Sequence, residues 1–465
     1  MKYRVFLCGV LGLGWHGALW AGLGEAAAIR PMAAFELAPS VENQRMPAAA
    51  YGGGVFLAVW QEGWNGVGGN ANIRGALVSP GVASNGTASL AICAAPDHQE
   101  SPRVAFGGGV FLAVWHDFRN GKDADIYAAR VSPAGKILDP DGIPVAARPH
   151  NQNFPEVCSN GKDFFILWRE LRYGENYHLV GARVESATGK VLDPQGVIVS
   201  NSASLLPAVG FTGKRYIISW LGMEGRRNVC GFCRYDPQTL ARDDSEPIRF
   251  GHPDAFGKMG DLRLISGPGE VVALWARGMG PDPWGWGGPG AILSTRLRDD
   301  GSVPENKTFN KIRWSPEGRE QYTKRLLPGV LDTAYWKGEE DRWPQGKPGG
   351  FKGAENGLWP HAYVSGTAMP GVKDQYFAVW VRAHLSESGR ADIMGGRLVG
   401  GETWAAPDFP PAELVTDGYA SLPCVSAGEK GSPLFLVYEK VGPTGGPKVE
   451  GKFIEVQPAK GGQNE

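Results

Sequence analysis

Short hydrophobic runs, each closed by an aromatic residue, recur along the chain at a nearly constant spacing. GVFLAVW occurs twice, and related runs such as RYIISW and QYFAVW follow. The closing residues, which we call anchors, are Trp60, Trp115, Trp168, Trp220, Trp275, Trp380 and Tyr438. Most anchors lie roughly 50 residues apart, a period typical of solenoids, propellers and arrays. We number the repeat units 1 to 7 by these anchors.

A full unit contains four short strand-like segments separated by turns. In unit 2 they are PRVAF (102–106), the anchored run, ADIYAARV (124–131) and IPVA (143–146). Pro and Gly between the segments, as in SPAG and DPDG, are typical of tight turns. No segment shows helical periodicity. Four strands in a unit of this length predict a β-propeller blade.

The two chain ends predict how the fold closes. Unit 7 offers only three strands, LPCVS, PLFLVY and KVEGKFIEV, whereas AFELA (34–38) is a spare strand before the first full unit begins at Met46. Pairing the spare strand with unit 7 would cover an otherwise open edge. We therefore expect an all-β fold, a single seven-bladed β-propeller over residues 34–456. Six or eight blades stay open because the interval between Trp275 and Trp380 is about twice the others.

The terminal residues differ from the repeats. Residues 1–28 have a cationic start, an apolar run and small residues near Ala28, the pattern of a secretory signal peptide. An uncleaved membrane anchor is the alternative. Residues 457–465 are predicted to be a flexible tail. We expect a secreted, periplasmic or cell-surface protein with no membrane span after cleavage.

Composition and charge narrow the range of partners. Gly accounts for 68 of 465 residues, as expected for a turn-rich all-β chain. The formal net charge is -1, and no basic cluster stands out, so we expect no nucleic acid partner. A monomer that binds a glycan or a protein partner is the expectation.

Two cysteines in the motif CGFC look like a redox or metal pair. Cys230 and Cys233 lie where other units have their third strand. Residues three apart on a strand point to opposite faces. We therefore expect inert core thiols that are not bonded to each other.

Unit 2, LAVWHDFRNGKDADIYAARVSPAGKILDPDGIPV, resembles a repeat of large exported bacterial proteins. That repeat has the form VVW-x-D-x-R, DIYGxRV and VLDPxG. The resemblance is close in units 2 and 3, fair in units 1 and 6, and weak elsewhere. It implies a propeller and an exported location but carries no settled activity.

Two sets of residues are candidates for ligand binding, both on the rim formed by the loops between the second and third strands and between units. Loops on a rigid scaffold are free to vary and often carry function. The first set lies in HDFRNGKDAD (116–125) and RELRYGENY (169–177) and comprises Asp117, Arg119, Glu170 and Arg172. The second set surrounds a predicted insertion at about 315–357 and comprises Trp284, Trp286, Tyr335, Trp336, Trp343, Asp332 and Glu339. Aromatic rings beside carboxylates suit sugars, whose C–H faces stack on rings. Packing of the insertion is the structural alternative.

Other polar residues extend the candidates. Asp117, Asp123 and Asp125 share one loop and would allow calcium, although no EF-hand pattern is present and no cofactor is expected. An arginine at one third-strand position of several units predicts a structural role for Arg130, Arg183, Arg296 and Arg397. We expect a non-catalytic binding protein. A carbohydrate-active hydrolase or lyase that uses carboxylates of the same rim is the alternative.

Overall fold

The structure, a computed structural model, shows only β-strands in the part of the chain that it describes. The described residues are 29–63, 70–82, 88–172, 176–200, 204–224, 227–250, 259–277, 291–303, 363–384, 390–399, 412–442 and 446–457. The predicted signal peptide, the insertion at 315–357 and the tail beyond residue 457 lie outside them. Within those ranges no helix is long and apolar enough to cross a membrane.

Units 1 to 4 are four-stranded antiparallel sheets whose strands follow chain order. Unit 1 contains β2 (Gln44–Gly52), β3 (Val55–Glu62), β4 (Asn72–Val78) and β5 (Leu90–Cys93). Unit 2 contains β6 (Gln99–Gly107), β7 (Val110–Asp117), β8 (Asp125–Val131) and β9 (Ile143–Ala146). Unit 3 contains β10 (Gln152–Ser159), β11 (Phe164–Arg172), β12 (Asn176–Val184) and β13 (Val197–Ser200). Unit 4 contains β14 (Ser204–Phe211), β15 (Tyr216–Glu224), β16 (Arg227–Tyr235) and β17 (Ile248–Phe250).

The later units follow the same plan. Unit 5 has three described strands, β18 (Met259–Gly267), β19 (Glu270–Arg277) and β20 (Ala291–Arg298). Unit 6 contains β21 (Val364–Ala368), β22 (Gln375–His384), β23 (Arg390–Val399) and β24 (Ala412–Val415). Unit 7 contains β25 (Tyr419–Ser426), β26 (Leu434–Val441) and β27 (Pro447–Val456). One parallel bridge, Ala391 to Tyr419, connects the sheets of units 6 and 7.

The N-terminal strand β1 (Ile29–Glu36) pairs antiparallel with β27, as the sequence predicts. It begins at Ile29, five residues before the predicted start of the domain. Phe35 of β1 packs on Phe435 and Phe453 of unit 7. The same cluster includes Phe56 and Trp60 of unit 1, so units 7 and 1 share one hydrophobic core.

Consecutive sheets pack face to face, which explains why the anchored runs are almost entirely hydrophobic. On β7, Phe111 and Trp115 pack with residues of unit 1, whereas Leu112 and Val114 pack with residues of unit 3. Alternate residues of a strand point to opposite faces, so a strand buried on both faces has no polar positions. All seven anchors are buried, with exposed fractions of at most 5%.

The first strands of the units contact one another in chain order from β2 to β25, and β25 in turn contacts β2. These inner strands have an edge without a β-partner, and side chains of neighbouring units bond to N–H groups on it. The hydroxyl of Ser365 accepts from the N–H of Val425 at 3.2 Å, and the Cys424 Sγ accepts from the N–H of Ala49 at 3.4 Å. Such bonds satisfy an edge that would otherwise attract another strand. Four strands per unit, packed side by side through inner strands, is the organisation of propeller blades.

The repeated third-strand arginine braces one unit against the next, as predicted. Arg130 pairs with Asp139 at 2.8 Å and also donates to a backbone carbonyl of unit 3. Arg183 pairs with Asp193 at 2.8 Å and donates to a carbonyl of unit 4. Two further arginines of the predicted set are also buried, Arg296 and Arg397.

The two CGFC thiols are free, as predicted, and lie in different cores. Cys230 packs in the cluster between units 4 and 5, and Cys233 in the cluster between units 3 and 4. Burial raises the pKa of Cys230 to about 12 and that of Cys233 to about 11. Both thiols are therefore protonated and unreactive at neutral pH.

Candidate functional site

Asp117 is the last residue of β7 and is fully buried. Trp115, two residues earlier on the same face of the strand, donates its indole N–H to Asp117 Oδ2 at 2.8 Å. The Arg119 guanidinium donates to both carboxylate oxygens, at 3.0 Å and 2.7 Å. The backbone N–H of Arg119 also donates to Oδ1 at 2.9 Å. Because these three groups donate to the carboxylate and none of it is exposed, Asp117 holds the end of the anchored strand.

Arg119 extends this link across unit 2. Its guanidinium donates to the carbonyl of Asp141 at 2.8 Å and lies over the Tyr127 ring, 3.9 Å from the centroid. It also contacts the Cys93 Sγ at 3.3 Å. The side chain thus joins the second strand, the third strand and the last turn of the unit.

Unit 3 repeats the arrangement with different residues. Glu170, which is 2% exposed, accepts from the Trp168 indole N–H at 3.0 Å and from Arg148 at 3.3 Å. Arg172 ends β11, where its backbone pairs with that of Asn176. The spacing W-x-[DE] is the sequence signal for this buried bond, because residues two apart on a strand share a face. For Asp117, Arg119 and Glu170 the structure shows bracing contacts, and a part in ligand binding stays a prediction.

The aromatic set around the insertion lies outside the described residues. This applies to Trp284, Trp286, Asp332, Tyr335, Trp336, Glu339 and Trp343. Their placement relative to the first set and their role in binding therefore stay predictions.

The loop between β7 and β8, considered above for calcium, is organised by an amide. The Asn120 side-chain NH2 donates to Asp123 at 2.8 Å and to Asp125 at 3.0 Å. Asp123 also accepts from the N–H of His150 at 2.7 Å. Among the residues that the structure describes, no group of three or more His, Cys, Asp or Glu side chains could hold a metal ion.

Asp125 in this loop is 4% exposed, and its Oδ1 has no hydrogen-bond partner among the described residues. Burial, with a smaller contribution from the charge of Asp123, raises its pKa to about 6. An unfolded chain releases this proton near pH 4, so the free energy of unfolding should fall as the pH rises from about 4 to about 6.

We expect Asp125→Asn to raise the melting temperature at pH 7 and to leave it nearly unchanged at pH 4, because the replacement removes a charge that is costly only above the folded pKa. Thermal melts of both proteins from pH 4 to pH 7.5 measure this. Asp141→Asn, an exposed aspartate in a turn of the same unit, is the control and should change neither melt. A variant no more stable than the wild type at pH 7 would contradict the raised pKa.

Phe154, near the start of β10, is an aromatic residue with 47% of its surface exposed. It lies at one end of the units, where each first strand begins and each second strand ends. We call this end the mouth. The Arg169 guanidinium stacks on the Phe154 ring and on the Tyr177 ring, 4.5 Å from each centroid. Asn153 holds Arg169 by a bond of 3.3 Å.

His116 of unit 2 supports the other side of Phe154. Its ring meets Phe154 edge-on at 6.1 Å and Phe118 edge-on at 5.7 Å. Its Nε2 lies 3.2 Å from Glu100 Oε2, and this contact lowers the pKa of Glu100 against the opposing effect of burial. We call the set Phe154, Arg169, Tyr177, His116 and Glu100 the platform. Phe154 is not among the candidates predicted from the sequence, although a large apolar residue in the polar stretch HNQNF (150–154) was a usable signal.

Ion pairs occupy the inner strands next to the platform. Glu156 of unit 3 accepts from Arg103 of unit 2 at 3.0 Å and also from Arg263 of unit 5. Arg263 in turn lies 3.0 Å from Asp261. The charges on these inner strands are thus matched within the protein.

Two carboxyl groups at the mouth have a raised pKa. Burial raises the pKa of Asp261 in unit 5, although Arg263 opposes this. Burial likewise raises the pKa of Glu439 in unit 7, which lies 3.5 Å from Arg45.

No family model matches the chain, and no curated protein matches it in sequence. Among solved structures it is similar to a protein of unknown function from Dyadobacter fermentans DSM 18053, at 12% identity and a TM-score of 0.45, over 92% of this chain and 99% of that one. It is also similar to Trypanosoma rangeli sialidase in complex with sialic acid, at 8% identity and a TM-score of 0.43, over 92% and 59% of the two chains. A thermostable family-43 glycoside hydrolase matches at 12% identity and a TM-score of 0.34, over 58% and 95%. These values are too low to carry a functional argument, which therefore rests on the chain's own residues.

Proposed function

We propose that this protein is an exported, monomeric β-propeller of seven blades that binds a glycan at its mouth without catalysing a reaction. The seven anchored units, the contact of β25 with β2 and the pairing of β1 with β27 support a closed ring. The N-terminal sequence supports export.

The observation that carries the binding proposal is the exposed ring of Phe154, held in place on several sides. Arg169 stacks on it, and His116 contacts its edge. An aromatic face supports a sugar through its C–H groups, whereas nearby polar groups bond to the hydroxyls. A ring needed only for packing would be expected to be buried, since exposed aromatic surface is costly in water.

A glycan array probed with the purified protein, starting at Ile29, tests the proposal. We expect binding to at least one class of polysaccharide. Absence of glycan binding together with capture of a defined protein ligand would replace the glycan by a protein partner.

We expect Phe154→Ala to weaken glycan binding about fivefold or more, because a stacked ring contributes on the order of 1 kcal/mol. Folding should be retained because the ring is already half exposed. Titration calorimetry with the strongest polysaccharide from the array measures the affinity. Ile198→Ala, an exposed apolar residue on the outer strand β13, is the matched control and should bind normally.

The tryptophans of the insertion region are the competing surface. If Trp286→Ala with Trp336→Ala abolishes binding while Phe154→Ala has no effect, the site lies at the insertion instead of the platform. If Asp117→Asn alone abolishes binding in a folded protein, the site lies in the loop after β7.

A hydrolase is the second candidate, and the raised pKa values of Asp261 and Glu439 favour it. A carboxyl group whose pKa is raised is better suited to donate a proton, as a general acid, to a glycosidic oxygen. Release of reducing ends from a bound polysaccharide, lost in Glu439→Gln and in Asp261→Asn, would establish this function in place of simple binding.

A further inference from the structure

Within the described residues, five units combine two unusual backbone features at the mouth. The pairing register of the inner strand shifts against the second strand, which marks a β-bulge, a shift that unit 4 also shows. In these five units a residue other than glycine occupies the left-handed region at the bulge. These residues are Met46 (φ 55°), Ser101 (φ 54°), Phe154 (φ 53°), Asp261 (φ 41°) and Leu422 (φ 51°).

The residues at the bulges are not those that the left-handed backbone conformation favours. Glycine adopts a positive φ without steric cost, whereas bulky residues do so rarely. The chain uses glycine for this purpose a few residues further on, at the hairpins after the inner strands, as at Gly54 and Gly109. Retaining Met46 and Leu422 in a conformation that suits glycine indicates that their side chains are needed.

The bulges also determine where these side chains lie. A bulge bends the strand and redirects one side chain at the end of the ladder. Proline follows four of the five residues, at positions 47, 102, 155 and 423, and the free edge of an inner strand tolerates its missing N–H. Met46, Phe154 and Leu422 all remain accessible to solvent.

Asp261 is the one charged residue among these five bulge residues, and it has structural partners. Its Oδ2 accepts from the N–H of Val364 at 2.8 Å, and its Oδ1 lies 3.0 Å from Arg263. The remaining four belong to units 7, 1, 2 and 3, whose inner strands contact one another in that order. Ser101 is buried at 9% exposure, whereas the side chains of Leu422, Met46 and Phe154 are uncharged and accessible to solvent.

Two charged groups beside these accessible side chains are paired within the protein. Arg45, next to Met46, faces Glu439 at 3.5 Å. Glu100, next to Ser101, faces His116 at 3.2 Å. A third, the Arg169 guanidinium, stacks on the Phe154 and Tyr177 rings. Uncharged side chains beside charged groups that the protein itself pairs or covers suit a ligand without formal charge.

We infer that the bulge residues Leu422, Met46 and Phe154 together form the recognition surface for a neutral glycan chain, which lies across units 7, 1, 2 and 3 at the mouth. This inference rests on the proposed function and adds the ligand class and two residues to the platform. The C–H faces of successive sugars lie on the apolar side chains.

Glycine substitutions test this directly. Side chains that serve recognition can be removed without loss of stability but with loss of affinity, whereas side chains that serve packing cannot be removed without loss of stability. We expect Met46→Gly and Leu422→Gly each to keep or raise the melting temperature, since glycine relieves the left-handed conformation. Each should weaken binding to the strongest neutral polysaccharide of the array at least about threefold, as the loss of a buried apolar contact does. Ile198→Gly, in a strand outside the mouth, is the control and should lower the melting temperature without changing affinity.

The outcomes distinguish a failure of this inference from a failure of the proposed function. Lower melting temperatures with unchanged affinity in Met46→Gly and Leu422→Gly would overturn the inference and leave the platform in place. Equal binding of polygalacturonate and a neutral polysaccharide would overturn the ligand class. Failure of the wild-type protein to bind any glycan would overturn the proposed function itself.

Discussion

Removing the N-terminal strand is expected to destabilise the protein severely. A chain that begins after Pro39 lacks Phe35 and Leu37, which are 4% and 0% exposed. Truncating a buried Phe costs about 3–5 kcal/mol and a buried Leu about 2–5 kcal/mol, so the two side chains alone represent at least about 5 kcal/mol. The loss also exposes the edge of β27 along its whole pairing with β1. Urea unfolding of the truncated and full proteins measures the difference.

Point variants separate side-chain packing from the open edge. Phe35→Ala and Leu37→Ala should each lower the melting temperature markedly. Glu36→Ala, between them and exposed, keeps the backbone pairing and should melt like the wild type. If the protein without residues 29–39 unfolds at the same urea concentration as the intact chain, β1 does not close unit 7.

The second large effect is expected for Asp117→Ala. The replacement leaves the Trp115 indole N–H and the Arg119 guanidinium without their acceptor in a buried site. Removing one partner of a buried charged pair costs about 3–5 kcal/mol, because the remaining charge is no longer compensated. Urea unfolding followed by tryptophan fluorescence measures the loss.

Asp141→Ala is the control for this variant, since Arg119 uses only the backbone carbonyl of Asp141 and its side chain is exposed. It should unfold like the wild type. A small effect of Asp117→Ala on stability, with a large effect on glycan affinity, would show that the carboxylate serves the ligand and not the unit.

The strand plan was readable from the sequence because both faces of each second strand are buried. A run such as FLAVW therefore has no polar positions, and its repetition marks the units. The inner strands begin earlier than expected. Gln99 and Gln152 look like loop residues but start β6 and β10, where their buried amides bond to carbonyls of the preceding loop.

The candidate site was harder to read, for two physical reasons. Asp117 lies in a polar stretch, and only its spacing from Trp115 indicates that the carboxylate faces an indole N–H inside the sheet. The left-handed conformations of Met46 and Leu422 have no sequence signal of their own, because such residues normally avoid that region. Their importance follows from the backbone geometry alone.

Hydrogen–deuterium exchange with and without the bound polysaccharide tests most directly whether the mouth is the binding surface. If glycan binds at the mouth, exchange should be slower in its presence at the start of the inner strands, in peptides covering residues 44–47, 99–102, 152–155 and 419–423. Peptides of the outer strands β9 and β13 should exchange unchanged. Slower exchange confined to residues 278–290 and 304–362, with none at the inner strands, would contradict binding at the mouth.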